Sequence, residues 1–97
     1  MLVPAATVMP STTLATPGIL LVDNSPSFAR MVAARMGERL GLPVTVVATL
    51  AEARRELSEP GRYFLAFTGL VLADADSETI LNAFAASNVP TVVVSGV

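Results

Sequence analysis

The stretch Ile19-Leu20-Leu21-Val22-Asp23-Asn24-Ser25-Pro26 decides the fold, because an uninterrupted apolar run ends at an acidic residue and a helix start follows at once. A continuous apolar run of this length is typical of a parallel strand that is covered on both faces. In open α/β sheets, ligands bind just outside the carboxyl ends of the strands. Asp23 and Asn24 therefore mark the edge of the sheet where a functional site is expected.

The residues that follow predict a first helix over about Pro26 to Leu40. Ser25 is expected to cap this helix with its hydroxyl, and Pro26 suits the first helical position, where no backbone N–H is needed. Gly41 is expected to end it as the C′ residue. The large apolar residues of the segment recur at helical spacing and are expected to face the core: Phe28, Met31, Val32, Met36 and Leu40.

Three more apolar runs predict strands 2, 3 and 4 at Val44 to Val47, Tyr63 to Phe67 and Thr91 to Val94. Since the connections between the predicted elements are short, the order β-α-β-α-β-α-β predicts a parallel sheet with right-handed crossovers and helices on both faces. The expected fold class is therefore α/β.

Helices 2 and 3 are predicted between these strands. Helix 2 should begin after a capping box formed by Thr49 and Glu52 and should span about Leu50 to Leu57. Asp76 or Ser77 is expected to cap helix 3, which should reach about Ala86 and turn three apolar residues inward: Ile80, Leu81 and Phe84.

Length and composition exclude several classes of function. A chain of 97 residues holds one domain, which we place at residues 18–97 after a loose, uncharged tail at residues 1–17. The net charge is -2 and all six basic residues are arginine, so no basic stripe suited to nucleic acid is present. Without cysteine or histidine, thiolate catalysis, Ser-His-Asp catalysis and His- or Cys-bound metals are excluded.

The low content of charged residues and the absence of targeting patterns predict properties of the protein's surface and its cellular compartment. Charged residues make up only 14% of the chain, against roughly 25% in typical soluble domains, so the chain has trouble covering its apolar surface alone. The tail lacks the basic and uninterrupted apolar regions of a secretory signal, and no apolar run approaches the ~20 residues of a membrane span. We therefore expect a cytoplasmic protein that is not bound to a membrane.

The segment ILLVDNSPSFARMVAARM resembles the opening of bacterial response-regulator receiver domains, the CheY-like domains of two-component signal transduction. LVLADAD and PTVVVSG follow in the places where that family has the loop after strand 3 and the end of strand 4. The resemblance covers about residues 18–97. It implies a flavodoxin-like parallel sheet, (βα)3β, with strand order 2-1-3-4 and without the usual α4-β5-α5.

The same resemblance assigns the family's functional positions, and most of them are altered. The acidic pair that holds Mg²⁺ corresponds to Asp23 and Asn24, so one carboxylate is lost. The phospho-accepting aspartate falls on Gly69, directly after Thr68, and glycine has no side chain to phosphorylate. Ser95 matches the retained Ser or Thr position, while the family's lysine has no counterpart. A phosphoryl-transfer site that lacks its acceptor, a metal ligand and its cation has little with which to stabilise the reaction.

Several alternatives stay open at the altered site. Asp74 or Asp76 is a candidate displaced phospho-acceptor, or a metal ligand together with Asp23, although turn formation and helix capping are the commoner roles of such residues. Asp23 itself is expected to cap the first turn of helix 1 or to bond the Thr68–Gly69 backbone. An enzyme of another class is a poorer option, because few catalytic side chains are available.

These features favour a module that is not an enzyme and needs neither a cofactor nor a metal. The expected function is a phosphorylation-independent receiver-like (pseudo-receiver) signalling module that dimerises and regulates an attached or partner output domain. The alternative is a phospho-accepting receiver with a displaced aspartate. Strand 4 would be an exposed edge, so the expected homodimer interface comprises the following residues: Thr91, Val92, Val93, Val94 and Val97.

Overall fold

Each of the four apolar runs forms a strand in the computed structural model, which describes residues 17–94. Three helices alternate with the strands, and the element bounds lie within one or two residues of those predicted from the sequence. β1 begins one residue early at a glycine, β4 ends one residue early and α3 runs to Ser87. The elements are β1 Gly18–Val22, α1 Pro26–Leu40, β2 Val44–Val47, α2 Leu50–Leu57, β3 Tyr63–Thr68, α3 Ser77–Ser87 and β4 Thr91–Val93.

The four strands form one parallel sheet in the order β2-β1-β3-β4. β1 is central, and its last residue Val22 pairs with Val47 of β2 on one side and with Thr68 of β3 on the other. All five residues of β1 are buried, as a strand covered on both faces requires. The chain is thus a small α/β domain whose strand order is the expected one and is consistent with a flavodoxin-like fold.

The ends of α1 and α2 follow the sequence signals at Gly41 and Thr49 and depart from them at Ser25. Gly41 closes α1 in the left-handed conformation, with φ 65°, and its N–H donates to the Gly37 carbonyl. The Thr49 side chain accepts the Glu52 N–H, as expected, and the Glu52 carboxylate accepts the Ala48 N–H. The predicted hydroxyl cap of α1 is wrong, because Ser25 occupies the N-cap position without a side-chain cap bond.

One face of the sheet carries α2 and α3 and holds the core of the domain. Side chains at alternate positions of β1 and β3 point to this face, which we call the packed face, and meet buried residues of the two helices. The core residues are Leu20, Val22, Val47, Leu50, Ala53, Tyr63, Ala66, Leu72, Ile80 and Phe84. Leu81, which was expected to point inward with Ile80 and Phe84, is 44% exposed.

The opposite face of the sheet carries α1. Three of the five α1 residues that were expected to face the core do not do so. The contacts of α1 with the sheet fall on β1 and β2, and Ala29 is its buried residue. Phe28, Met31 and Leu40, which were predicted to face the core, are each more than half exposed. Phe28 stays exposed because, in residues 17–94, no second helix lies beside α1 over β3 and β4.

None of the helices in the described part of the chain is long and apolar enough to cross a membrane.

Candidate functional site

The site predicted from the sequence lies at the carboxyl edge of the two central strands. Asp23 follows β1 and Gly69 follows β3, and the Gly69 N–H donates to the Val22 carbonyl at 3.0 Å. The Asp23 N–H in turn donates to the Val47 carbonyl at 3.1 Å. Parallel pairing therefore brings Asp23 and Gly69 side by side at one edge of the sheet, as the resemblance implied.

The Asp23 side chain bonds to the backbone two residues further along the chain. Its Oδ2 accepts the backbone N–H of Ser25 at 3.0 Å, a local turn that leads directly into α1. This contact fits the expected role at the start of helix 1 better than a bond to the Thr68–Gly69 backbone. Asn24, the second residue of the altered acidic pair, is exposed.

A side chain at position 69 would make a tight contact with the Asp23 carboxylate. A Cβ at this position would lie 3.3 Å from Asp23 Oδ1 and 3.9 Å from the Val22 carbonyl oxygen. The preceding Thr68 is fully buried, and its hydroxyl donates to the Gly69 carbonyl at 2.8 Å. The position thus faces Asp23 at close range but offers no nucleophilic atom.

Asp74 has a structural role that the sequence did not reveal. Its Oδ1 accepts the Leu50 N–H and its Oδ2 accepts the Ala51 N–H, both at 2.9 Å, so one carboxylate in the loop after β3 caps the first turn of α2. These two backbone donors hold the pKa of Asp74 below its ordinary value. A helix N-terminus also stabilises the negative charge.

Asp76 has the capping role that was one of the two alternatives for the start of helix 3. It is the N-cap residue of α3, and its Oδ1 accepts the Thr79 N–H at 2.8 Å. The bonds from Thr79 lower the pKa of Asp76. Both candidate displaced acceptors are therefore carboxylates engaged in helix capping.

The remaining predicted positions separate into two groups. Ser95 and Val97 lie outside the described residues, as does the predicted tail up to residue 16. Thr91 is partly buried, whereas Val92, Val93 and Val94 are exposed. Within the described range, no group of three or more acidic side chains is placed to hold a metal ion.

Comparison with protein-family models gave no match, and comparison with curated protein sequences gave none either.

Sequence reasoning missed two features of this edge. The bond from Asp74 to α2 joins residues 24 and 23 positions apart, and only the pairing of β1 with β2 and β3 brings the two segments together. The second is an apolar groove beside α1 that has Asp23 and Gly69 at one end. Its signal in the sequence was the large number of apolar residues in α1 combined with few charges in the whole chain.

Proposed function

We propose that this chain is a non-catalytic, phosphorylation-independent receiver-like signalling module of flavodoxin-like fold that forms homodimers and regulates an attached or partner output domain. The observation that carries the proposal is Gly69, which stands beside Asp23 where the resemblance requires the phospho-acceptor. The strand order β2-β1-β3-β4 supports the same family assignment. In such a module the switch is association, and phosphoryl transfer plays no part.

The engagement of Asp74 and Asp76 weighs against a displaced acceptor. Both oxygens of Asp74 accept backbone N–H groups, so phosphorylation there would break the cap of α2. Asp76 would lose its bond to Thr79 in the same way. A nucleophilic carboxylate with a lowered pKa and bound oxygens is a poorer attacking group than a free one.

Intact mass after incubation with acetyl phosphate and Mg²⁺ tests the first half of the proposal. We expect no phosphate adduct on the wild-type chain. The double variant Asn24→Asp with Gly69→Asp restores the family's acidic pair and acceptor, and an adduct on it shows that the donor is active under the same conditions. A wild-type adduct that disappears in Asp74→Asn or Asp76→Asn would establish the displaced acceptor instead.

The geometry of β4 supports homodimerisation. The carbonyl of Pro90 and the N–H of Val94 bond to β3, so the alternate residues Thr91 and Val93 direct their backbone groups away from the sheet. In residues 17–94, no strand pairs with this side of β4. An exposed edge with apolar side chains is a template for pairing with another chain, and a two-fold axis would pair β4 with its own copy.

Light scattering after size exclusion tests the second half. The wild-type chain is expected to elute as a dimer at micromolar concentration. Val93→Pro removes the outward N–H at a position where an edge strand tolerates proline, and it should yield a folded monomer. Val93→Thr keeps the N–H and the branched shape and should remain dimeric. A folded wild-type monomer, or a dimer unaffected by Val93→Pro, would contradict pairing through β4.

A further inference from the structure

An apolar groove of about 230 Å³ lies on the side of the sheet that carries α1. We call it the α1 groove. One wall is the side of α1 and the floor is the sheet, and its main apolar residues are Leu21, Phe28, Val32, Met36, Phe67 and Val94. Phe28 is 53% exposed, although it is a large aromatic residue at the wall of the groove. Contiguous exposed apolar side chains are a common feature of interaction sites.

The floor of the groove has the width of one helix. Phe67 of β3 pairs with Leu21 of β1 and with Val92 of β4, so these three side chains share the face that carries α1. Two strands about 4.8 Å apart give a strip about 10 Å wide, which matches the diameter of one α-helix. Parallel sheets are normally covered on both faces, and α1 covers β1 and β2.

The rim of the groove on α1 is basic. Arg35 and Arg39 follow Phe28 by seven and eleven residues, which places both on the same side of the helix as Phe28 and Val32. Both arginines are exposed. The ion pairs found in residues 17–94 all involve Arg62, which lies before β3. A helix lying in the groove would therefore meet two positive charges along one edge.

The same charges disfavour a second copy of α1 as the occupant. α1 carries Arg30, Arg35 and Arg39 but a single acidic residue, Glu38. Pairing α1 with its own copy across the groove would bring arginines close to arginines, and like charges at an interface cost free energy. Dimerisation through the edge of β4 leaves the α1 groove open on each copy.

We propose that the α1 groove binds an amphipathic helix of a partner protein, with its apolar side on Phe67 and Val92 and with acidic residues along the edge that faces Arg35 and Arg39. The helix would be about 14 residues long, since 14 residues span about 21 Å and the six-residue β3 has a similar length. This inference rests on the proposed function, because it names the surface through which the module meets what it regulates. Helix-in-groove recognition of this kind uses apolar anchors at i, i+3 and i+4 spacing.

The test uses two synthetic helical peptides of about 14 residues and the full chain. Both peptides carry leucine on one side, and one carries glutamate and the other lysine along the flanks. We expect the glutamate peptide to bind about tenfold more tightly, since two exposed charge pairs change sign together. In the double variant Arg35→Glu with Arg39→Glu, the preference should invert. Fluorescence anisotropy gives the affinities, and methyl NMR shifts of Val32 and Val92 locate the site.

Two single variants provide the matched control for the apolar contact. Phe28→Ser should weaken binding of the glutamate peptide by about tenfold, the loss expected when a large exposed anchor no longer reaches its partner. Val71→Ser changes a residue that is 73% exposed and does not line the groove, and it should bind like wild type. Circular dichroism confirms that both variants are folded.

Several outcomes would overturn the inference. They are no binding of either peptide, equal binding of both, a preference that the arginine variants leave unchanged, and shifts confined to other surfaces. A wild-type dimer that Phe28→Ser converts to a monomer would show that a second copy fills the groove. The phosphorylation and Val93→Pro experiments test the proposed function through other residues, so failure of one proposal is distinguishable from failure of the other.

Discussion

Both faces of the sheet carry apolar side chains, but the helices cover one face more completely than the other. On the packed face, α2 and α3 bury Leu50, Ile80 and Phe84 against β1 and β3. On the other face, α1 lies over β1 and β2 and leaves Phe28 and Met31 exposed. Both faces have apolar helices with regular periodicity, so periodicity alone does not show that a helix is buried. Burial depends on whether a neighbouring element covers both sides of the helix.

The two faces also differ in what their apolar side chains contribute to the domain. The packed face buries the larger apolar cluster of the domain and so contributes strongly to the free energy of folding, because burial of apolar area is the main favourable contribution. The α1 face leaves apolar side chains exposed, and these include the ones that the proposed partner helix would cover. Four experiments test this contrast, in order of decreasing effect.

The sharpest test replaces one phenylalanine on each face. Phe84→Ala removes a side chain that is 3% exposed and should lower the free energy of unfolding by about 3–5 kcal/mol, a large part of the stability of a domain of this size. Phe28→Ala removes the same atoms from a side chain that is 53% exposed and should change stability by less than about 1 kcal/mol. Urea denaturation measures both. Similar losses for the two variants would contradict the contrast between the faces.

The second test concerns the start of the central strand that serves both faces. A Cβ at Gly18 would lie 2.8 Å from the Pro43 carbonyl oxygen, so Gly18→Ala should destabilise the fold by about 1–3 kcal/mol through forced backbone movement. Gly37→Ala in α1 is the control, since a Cβ there meets the Leu42 carbonyl at an ordinary 3.6 Å. That variant should gain up to about 1 kcal/mol from helix propensity. Thermal unfolding of the two variants should shift in opposite directions.

The third test removes the connection between the loop after β3 and α2 on the packed face. Asp74→Ala loses both bonds to the α2 N-terminus and should lower the unfolding midpoint by about 5 °C at pH 7. The pKa of Asp74 is lowered in the folded state, so its contribution is present above its unfolded pKa and is lost as the pH falls through the lowered value. The difference between wild type and Asp74→Ala should therefore shrink as the pH falls below about 4. A difference that is constant down to pH 2 would contradict the cap.

The fourth test uses the single tyrosine of the chain, which lies at the edge of the packed face. Tyr63 is buried and its hydroxyl donates to the Glu56 carboxylate. Both features raise the pKa of Tyr63, and burial has the larger effect. A raised folded pKa means that its stabilisation is present below about pH 10 and is lost as the pH rises through the higher value. Tyr63→Phe should lose about 1 kcal/mol at pH 7 and show less destabilisation in alkali. Titration of tyrosinate absorbance should give a midpoint above that of free tyrosine.

Much of the fold was predictable, because the signals that place its elements are local. Apolar runs, the Thr49 and Glu52 capping box, Pro26 and Gly41 act within a few residues of themselves, and the structure confirms the helix and strand bounds to within one or two residues. The predicted hydroxyl cap by Ser25 is absent, and the side chain that bonds at this turn is Asp23, which accepts the Ser25 N–H. Both side chains had a local pattern in the sequence, and the pattern does not show which of them forms its bond.

The candidate site was predictable only in part. The proximity of Asp23 to Gly69 follows from parallel pairing of β1 with β3 once the strands are placed. The role of Asp74 at α2 does not follow from any local pattern, since the partners are more than twenty residues apart. Whether the site has lost phosphoryl transfer, and whether β4 pairs with a second copy, stay predictions for the experiments above.

The amino-acid sequence by itself determined where each helix and strand lies and that Gly69, directly after β3, has no side chain, because hydrogen-bonding propensity, capping and residue chemistry are local properties. Only the tertiary structure decided which apolar residues are buried, that Asp74 caps α2, and that α1 borders an apolar groove that residues 17–94 leave open. These properties depend on which elements become neighbours in space. The same kind of apolar stripe forms a core where a second layer covers it and stays exposed where, in residues 17–94, no layer does.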